Sequence, residues 1–304
     1  MPLRVGLVGC GWWGRNILRD LLALGCVVEV ADPGSRYPCD GAHRVVSNLE
    51  NLDSGLDGYV IATPSPSHEE VILALARRGR PIFCEKPLAL DVNGAERLAA
   101  ALGDRLFVMH KWAYHGGIQA LRAIAQQGEL GPVHGVYTRR LQWGKPAAEA
   151  DAVWELAIHD LTIIREIMGG LPPVAAARAL MHRGEMHGVT AILGEAPFAH
   201  LEVGAHWPGV ERRVRVAFEG GLAMLDDPLA DHISVVRGAP RAGERHDPDS
   251  LERRPIDMEW PLIKELRAFV DHLRGGPPPP TNARAGADVV ASLDGIRRAA
   301  LAAQ

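Results

Sequence analysis

Lys86 closes an apolar run, Pro81-Ile82-Phe83-Cys84-Glu85-Lys86-Pro87, wedged between an acid and a proline. A lysine buried in a cleft has its pKa depressed, so it can hydrogen-bond a hydroxyl or pass a proton. The plain alternative is a surface lysine paired with Glu85. A second candidate group lies far along the chain. In Ala152 to Met168, Glu155, His159, Thr162 and Glu166 recur at helical spacing as a polar stripe, beside an apolar one of Trp154, Ile158, Leu161, Ile164 and Met168. Glu155 and His159, at i and i+4, meet side by side, and a carboxylate beside an imidazole raises its pKa and orients it. That pair suits a general base that takes a proton from an alcohol as hydride leaves its carbon. The plain alternative is the wet face of an amphipathic helix.

The element best placed to present such groups to a redox partner is the start of the chain. Leu3-Arg4-Val5-Gly6-Leu7-Val8 reads as a strand, Gly9-Cys10-Gly11-Trp12-Trp13-Gly14 carries a G-x-G-x-x-G array, and a helical pattern follows at once. That is the context of a dinucleotide-binding turn. Gly9 permits the tight turn, Gly11 lets the backbone approach a pyrophosphate, and Gly14 packs helix against strand. The unpaired N–H groups at the helix start, with Trp12 and Trp13 beside them, face the phosphates. A second strand, Val27-Val28-Glu29-Val30-Ala31, ends at Asp32, 18 residues after Gly14 and close to the ~20 expected of a ribose-binding acid. A carboxylate there accepts from a 2′-hydroxyl and repels a 2′-phosphate, which favours NAD. Ser35 and Arg36 follow closely, and an arginine in this loop leaves NADP open.

Strands and helices alternate through residue 109. Helical runs follow the glycine turn and span Glu69–Arg78 and Ala95–Leu102; further strands end at Thr63-Pro64, Glu85 and Met109. Ser67 stands where it can cap the second helix, with Glu70 three residues on. Such alternation implies a parallel sheet covered on both faces, with ligands beyond the strands' carboxyl ends. Asp32, Thr63, Pro64, His68, Glu85 and Lys86 all fall at such ends. Lys111, Tyr114 and His115, just past a strand, are candidate substrate contacts. From 110 onward, helices at Ile118–Gln127 and Ala152–Met168 precede a cluster of strand-like runs. The expectation is α/β: a Rossmann-like domain over 1–109, then an α+β domain over 110–304 with a large, open, mostly antiparallel sheet.

Bulk properties narrow the field. Thirty-three basic and 37 acidic residues leave a net charge of −4, with no basic field to recruit nucleic acid. Arg212-Arg213 and Arg253-Arg254 read as solvated. The four cysteines lack C-x-x-C spacing, His182 and His187 lack partners at structural-zinc spacing, and no run of about 18 apolar residues exists. The expectation is a cytoplasmic protein with reduced thiols, no metal and no membrane partner.

Several separated motifs resemble those of the Gfo/Idh/MocA family of NAD(P)-dependent oxidoreductases. Gly9-Cys10-Gly11-Trp12-Trp13-Gly14-Arg15-Asn16 is similar to its G-x-G-x-W-G-x-N opening, Ile61-Ala62-Thr63-Pro64 with His68 to its I-A-T-P…H turn, Glu85-Lys86-Pro87 to its E-K-P signature, and Gly128-Glu129-Leu130-Gly131 to its G-E-L-G turn. Trp154-Glu155-Leu156-Ala157-Ile158-His159-Asp160-Leu161 is similar to the W-D-L-A-P-H-D-L run of members acting on nucleotide-linked sugars. Leu225-Asp226-Asp227-Pro228 and Trp260-Pro261-Leu262…Glu265 also have counterparts in that subgroup. The resemblance implies Lys86 as the catalytic lysine, His159 as its acid/base partner, and Glu155 in place of an aspartate. It implies a C-terminal sheet often used to form homo-oligomers. The expected activity is hydride transfer between NAD(P) and a secondary alcohol or ketone of a sugar, nucleotide-linked on this resemblance. Free sugars or cyclic polyols are the alternative substrates. A dinucleotide-binding sensor or scaffold without turnover is the alternative of another kind. Glu155 for Asp and Ile158 for Pro bear on substrate identity more than on reaction type.

Overall fold

The computed structural model describes residues 2–34, 36–144, 152–238 and 251–303. Ser35, one of the candidate cofactor contacts, lies outside them. In chain order the first elements are β1 (Arg4–Val8), α1 (Gly14–Ala23), β2 (Val27–Ala31), β3 (Arg44–Val46), β4 (Gly58–Ile61), α2 (His68–Ala76), β5 (Ile82–Glu85), α3 (Val92–Leu102) and β6 (Leu106–Met109). They build a six-stranded parallel sheet in the order β3-β2-β1-β4-β5-β6. The strands are near-continuous apolar runs because both faces are covered: Val5, Leu7, Val28, Val30, Val60, Phe83 and Val108 are buried. Strand order reverses between β1 and β4, and a crevice opens at such a point. Register brings the strand ends level. Val8 pairs with both Ala31 and Ile61, Ile61 with Cys84, and Glu85 with Met109. The residues that follow each strand therefore line one edge of the sheet.

The helix starts differ in detail from expectation. Ser67 does not cap α2. Its hydroxyl turns back to Thr63 Oγ1 and the Pro64 carbonyl, both at 2.8 Å, and braces the turn after β4. Asp91 does cap α3, accepting from the Gly94 N–H at 2.8 Å.

The second group of elements comprises α4 (Gly116–Gln127), β7 (Val133–Trp143), α5 (Ala152–Met168), β8 (Val174–His182), β9 (Glu185–Leu193), β10 (Phe198–Gly204), β11 (His206–Phe218), β12 (Gly221–Leu225), β13 (His232–Arg237) and β14 (Glu252–Pro255). They form an eight-stranded sheet, β14-β13-β12-β11-β7-β10-β9-β8, antiparallel except where β7 runs parallel to β10. Helix α5 packs on β7, β9, β10 and α4. In each of the two arginine pairs expected to be solvated, one member is instead engaged or half-buried, while Arg213 and Arg253 stay exposed. Arg254 holds Glu129 and Glu252, and the Glu129 carboxyl, gripped by Arg254 and Arg237, is pulled down to about 2. Arg212 is half-buried near Arg140 and Asp160, which lowers its pKa chiefly through burial.

Two helices complete the chain, α6 (Pro261–Leu273) and α7 (Ala283–Ala302). Their placement departs from a division into 1–109 and 110–304. The compact units are residues 1–114 with 259–291, and 115–258 with 292–304. The physical reason is the apolar stripe of α6: Leu262, Leu266, Phe269 and Val270 enter one core with Val5, Leu7, Phe83 and Phe107. The ring centroids of Phe269 and Phe83 lie 5.2 Å apart. Among the described residues, no helix is long and apolar enough to cross a membrane.

Candidate active site

The glycines of the first turn serve different ends. Gly9 has φ +88°, and a Cβ there would come within 2.7 Å of the Ala62 carbonyl oxygen. A Cβ on Gly14 would lie 2.3 Å from the Gly9 oxygen. Both positions are demanded by the fold itself. Gly11 is not: a Cβ there would meet nothing within 4 Å, and its backbone is not left-handed. A glycine that the protein's own packing does not require leaves its bare backbone open to something else, as a closely approaching pyrophosphate needs. The start of α1 agrees. Trp13 at its N-cap makes no side-chain capping bond, and the first turn holds no acid to compete with an anion.

Asp32 is fixed from both sides. One carboxylate oxygen accepts from the Cys10 N–H at 2.7 Å, the other from the Gly34 N–H at 3.0 Å. This ties the end of β2 to the glycine turn and leaves lone pairs for a ribose diol. Arg36 is exposed in the loop beyond. Tyr37, which sequence reasoning passed over, lies nearby, with the Arg15 guanidinium of the glycine-turn motif 4.4 Å above its ring. The hint was an aromatic residue just past the Ser35-Arg36 loop.

At the level of β4 and β5 the edge becomes a clamp. The Trp13 indole N–H donates to one Glu85 oxygen, and the Lys86 main-chain N–H donates to the other at 3.0 Å. Glu85 therefore pins the tryptophan of the glycine turn to the residue expected to do chemistry. The Lys111 ammonium sits 5.0 Å over the Trp13 ring and joins the same cluster. His68 has a structural role here. It is 1% exposed, and its two ring nitrogens lie against the carbonyls of Pro87 (2.7 Å) and Thr63 (3.0 Å), so it braces two strand-end turns. Trp12 is 65% exposed on the rim. Burial and Cys39 push the Cys10 thiol up to about 12, and burial holds Cys84 well above its ordinary value, so these two thiols stay protonated at neutral pH.

Within the second unit, α5 is not the amphipathic helix its pattern suggested. Asp160, Thr162 and Glu166 are buried rather than wet. Asp160 receives the Arg140 Nε–H of β7 at 2.5 Å, Glu166 receives Arg122 of α4 at 2.8 Å, and the Thr162 hydroxyl donates to the Ile158 carbonyl at 2.8 Å. Burial raises the Asp160 and Glu166 carboxyls, with the arginines working against it. Over residues 153–168 only Trp154, Glu155, His159, Arg165 and Met168 keep partial exposure. Glu155 and His159 are thus the partly exposed polar residues of the described first half of the helix, beside Trp154. Tyr114 is buried, and His115 caps α4: its Nδ1 accepts from the Gly117 N–H at 3.1 Å and its Nε2 donates to the Pro228 carbonyl at 2.9 Å. His115 therefore has a capping role. Among the described residues, no group of three or more His, Cys, Asp or Glu is arranged to hold a metal ion.

Comparison with known proteins accords with this geometry. A family model described as the Gfo/Idh/MocA oxidoreductase family, NAD-binding Rossmann fold, matches residues 3–109. The chain is 28% identical to an inositol 2-dehydrogenase of Ralstonia nicotianae and 26% identical to one of Burkholderia vietnamiensis, in each case over 91% of this chain and 87% of the relative. A solved UDP-N-acetylglucosamine 3-dehydrogenase of Acidithiobacillus ferrooxidans superposes with TM-score 0.82 over 99% of both chains at 22% identity, a likeness of fold. With its glycine turn, its two sheets and these matches, the chain resembles the Gfo/Idh/MocA oxidoreductases, and residues 3–109 match that family's NAD-binding Rossmann fold.

Proposed function

We propose that this NAD-dependent dehydrogenase oxidises a secondary hydroxyl of a free cyclic polyol or sugar. The observation that carries the dehydrogenase chemistry is the strand-end edge where open Gly11, clamped Trp13 and Lys86 stand together. The substrate class is supported by relatives named inositol 2-dehydrogenases, alike over 91% of the chain. The nucleotide-linked sugar expected from the Trp154–Leu161 run has weaker support, since the UDP-sugar enzyme is alike in fold at 22% identity. Gly9, Gly11, Trp13, Gly14 and Asp32 would hold the dinucleotide, with Thr63 and Pro64 along the ribose. Asp32 favours NAD over NADP by repelling a 2′-phosphate. When bound, NAD supplies the hydride acceptor at nicotinamide C4.

Lys86 hydrogen-bonds the reacting hydroxyl and His159 takes its proton, with Glu155 one helical turn earlier orienting the imidazole and stabilising its charged form. The sheet of the second unit leaves Tyr137, Leu180, Ile192 and Trp207 exposed beside paired arginines and glutamates, a surface suited to a second copy of the chain.

The test is absorbance at 340 nm with NAD and NADP against a panel of inositols and free sugars and a panel of UDP-sugars. Turnover confined to UDP-sugars overturns the substrate reading. Tight NADH binding with no turnover on either panel returns the sensor alternative. Lys86→Ala is expected to lower kcat by roughly 10²–10⁴ and leave NADH affinity nearly intact; equal turnover removes the lysine from the mechanism.

A further inference from the structure

Helix α6 has an anomaly at its centre. Its buried stripe runs Leu262, Glu265, Leu266, Phe269, Val270, the spacing of a core-facing helix surface with an acid where an apolar residue belongs. Glu265 is 1% exposed, and its Oε2 is buried without a hydrogen-bond partner. A carboxylate so placed costs several kcal/mol unless it is paired or keeps its proton. The charges acting on it come from elements packed around α6: Glu85 at the end of β5 and Lys111 in the turn after β6. His110 is buried one residue before that turn, and Asp20, the buried acid of α1, is taken by Arg19 at 2.7 Å. Burial pushes the Glu265 carboxyl well above the carboxylate range, Glu85 adds to this, and Lys111 opposes it. Glu85 and Lys111 are the two groups that hold Trp13, by the indole N–H and over the ring face. An acid serving the core alone would have no reason to sit among them.

We infer that Glu265 is a positioning residue which, together with Lys111, holds the Glu85–Trp13 clamp from beneath and through it sets the place of Lys86. The inference rests on reading the Lys86 edge as the site of hydride transfer. With its proton in place, Glu265 adds no second negative charge beside Glu85, so Glu85 keeps Lys111 and the Trp13 indole to itself. An apolar residue at 265 would fill space but present no polar group near Glu85 and Lys111. An ionised one would compete with Glu85 for Lys111.

Glu265→Gln and Glu265→Leu, made in the full chain, test this against wild type by three readings: Tm across pH 5 to 9, NADH affinity by fluorescence quenching, and kcat with KM. A carboxyl whose folded pKa is raised stabilises the fold below its unfolded value, about 4.5, and loses that contribution as pH rises toward the folded pKa. Glutamine cannot ionise, so Glu265→Gln is expected to match wild type near pH 5 and to exceed its Tm increasingly toward pH 9. Glu265→Leu is expected to keep its fold and lose about tenfold or more in kcat, the scale of a small misplacement at a reacting centre, and glutamine is expected to rescue most of that loss. Two results overturn the inference. One is a Tm for Glu265→Gln that falls below wild type as pH rises, which marks an ionised partner of Lys111. The other is wild-type kcat and NADH affinity in Glu265→Leu, which marks a residue of the core alone. If Lys86→Ala turns over normally, the hydride site itself has been misread, whereas the Tm profile still reports on Glu265.

Discussion

Gly11 separates ligand binding from folding more cleanly than any other residue of the site. Gly9 and Gly14 are held by the protein's own backbone, so an alanine at either strains the turn by a left-handed φ or a clash with a carbonyl. At Gly11 the added methyl points into open space. Gly11→Ala is therefore expected to leave Tm within about 1 °C of wild type and to weaken NADH about tenfold, or ~1.4 kcal/mol, by blocking backbone approach. Isothermal calorimetry beside a thermal melt checks both halves. A variant that melts early but binds normally sinks the assignment. The array was legible because glycine types at fixed offsets are a local signal. The role of Gly11 was legible with it, whereas the carbonyl of Ala62, just past β4, as the group that excludes a side chain at Gly9 was not, because it arrives from a distant part of the chain.

At the scale of elements, α5 carries the acid/base candidates, and its orientation is set from below. Arg140 on β7 and Asp160 on α5 form a buried ion pair one residue from His159. Removing one partner strands the other's charge away from water, which costs about 3–5 kcal/mol, whereas replacing both with apolar residues is near neutral. Arg140→Met alone is expected to lower unfolding stability by that amount, and Arg140→Met with Asp160→Leu to recover most of it, as measured by urea titration. A double variant as unstable as the single one would show that the pair is not coupled. The sequence places Glu155 and His159 on one face of a helix. It reads Thr162 and Glu166 as wet because a helical wheel has no knowledge of what packs against its polar side. Arg122 and Arg140 come from other elements, and only their arrival turns a polar stripe into buried, satisfied contacts.

For the whole molecule, the return of the chain at 259–291 is the decisive feature. Leu262, Leu266, Phe269 and Val270 each contribute roughly 1.5–3 kcal/mol by burial. Together they rival the entire net stability of a domain, about 5–15 kcal/mol. A fragment of residues 1–114, complete in its glycine turn and six strands, is therefore expected to lack a cooperative melt and to bind NADH poorly. Circular dichroism and fluorescence quenching test this; a sharp melt with wild-type binding contradicts it. The sequence by itself determined the alternation of strands and helices, the glycine turn, Asp32 at the end of β2, and Lys86 at the end of β5, since these follow from local periodicity and steric demands within a few residues. Tertiary structure alone decided that α6 completes the first core, that Glu85 clamps Trp13 while Glu265 lies buried nearby, that His68 and His115 brace turns, and that Asp160, Thr162 and Glu166 of α5 are buried. Those outcomes rest on contacts between residues tens to hundreds of positions apart, and side-chain periodicity carries no information about which distant surface will cover it.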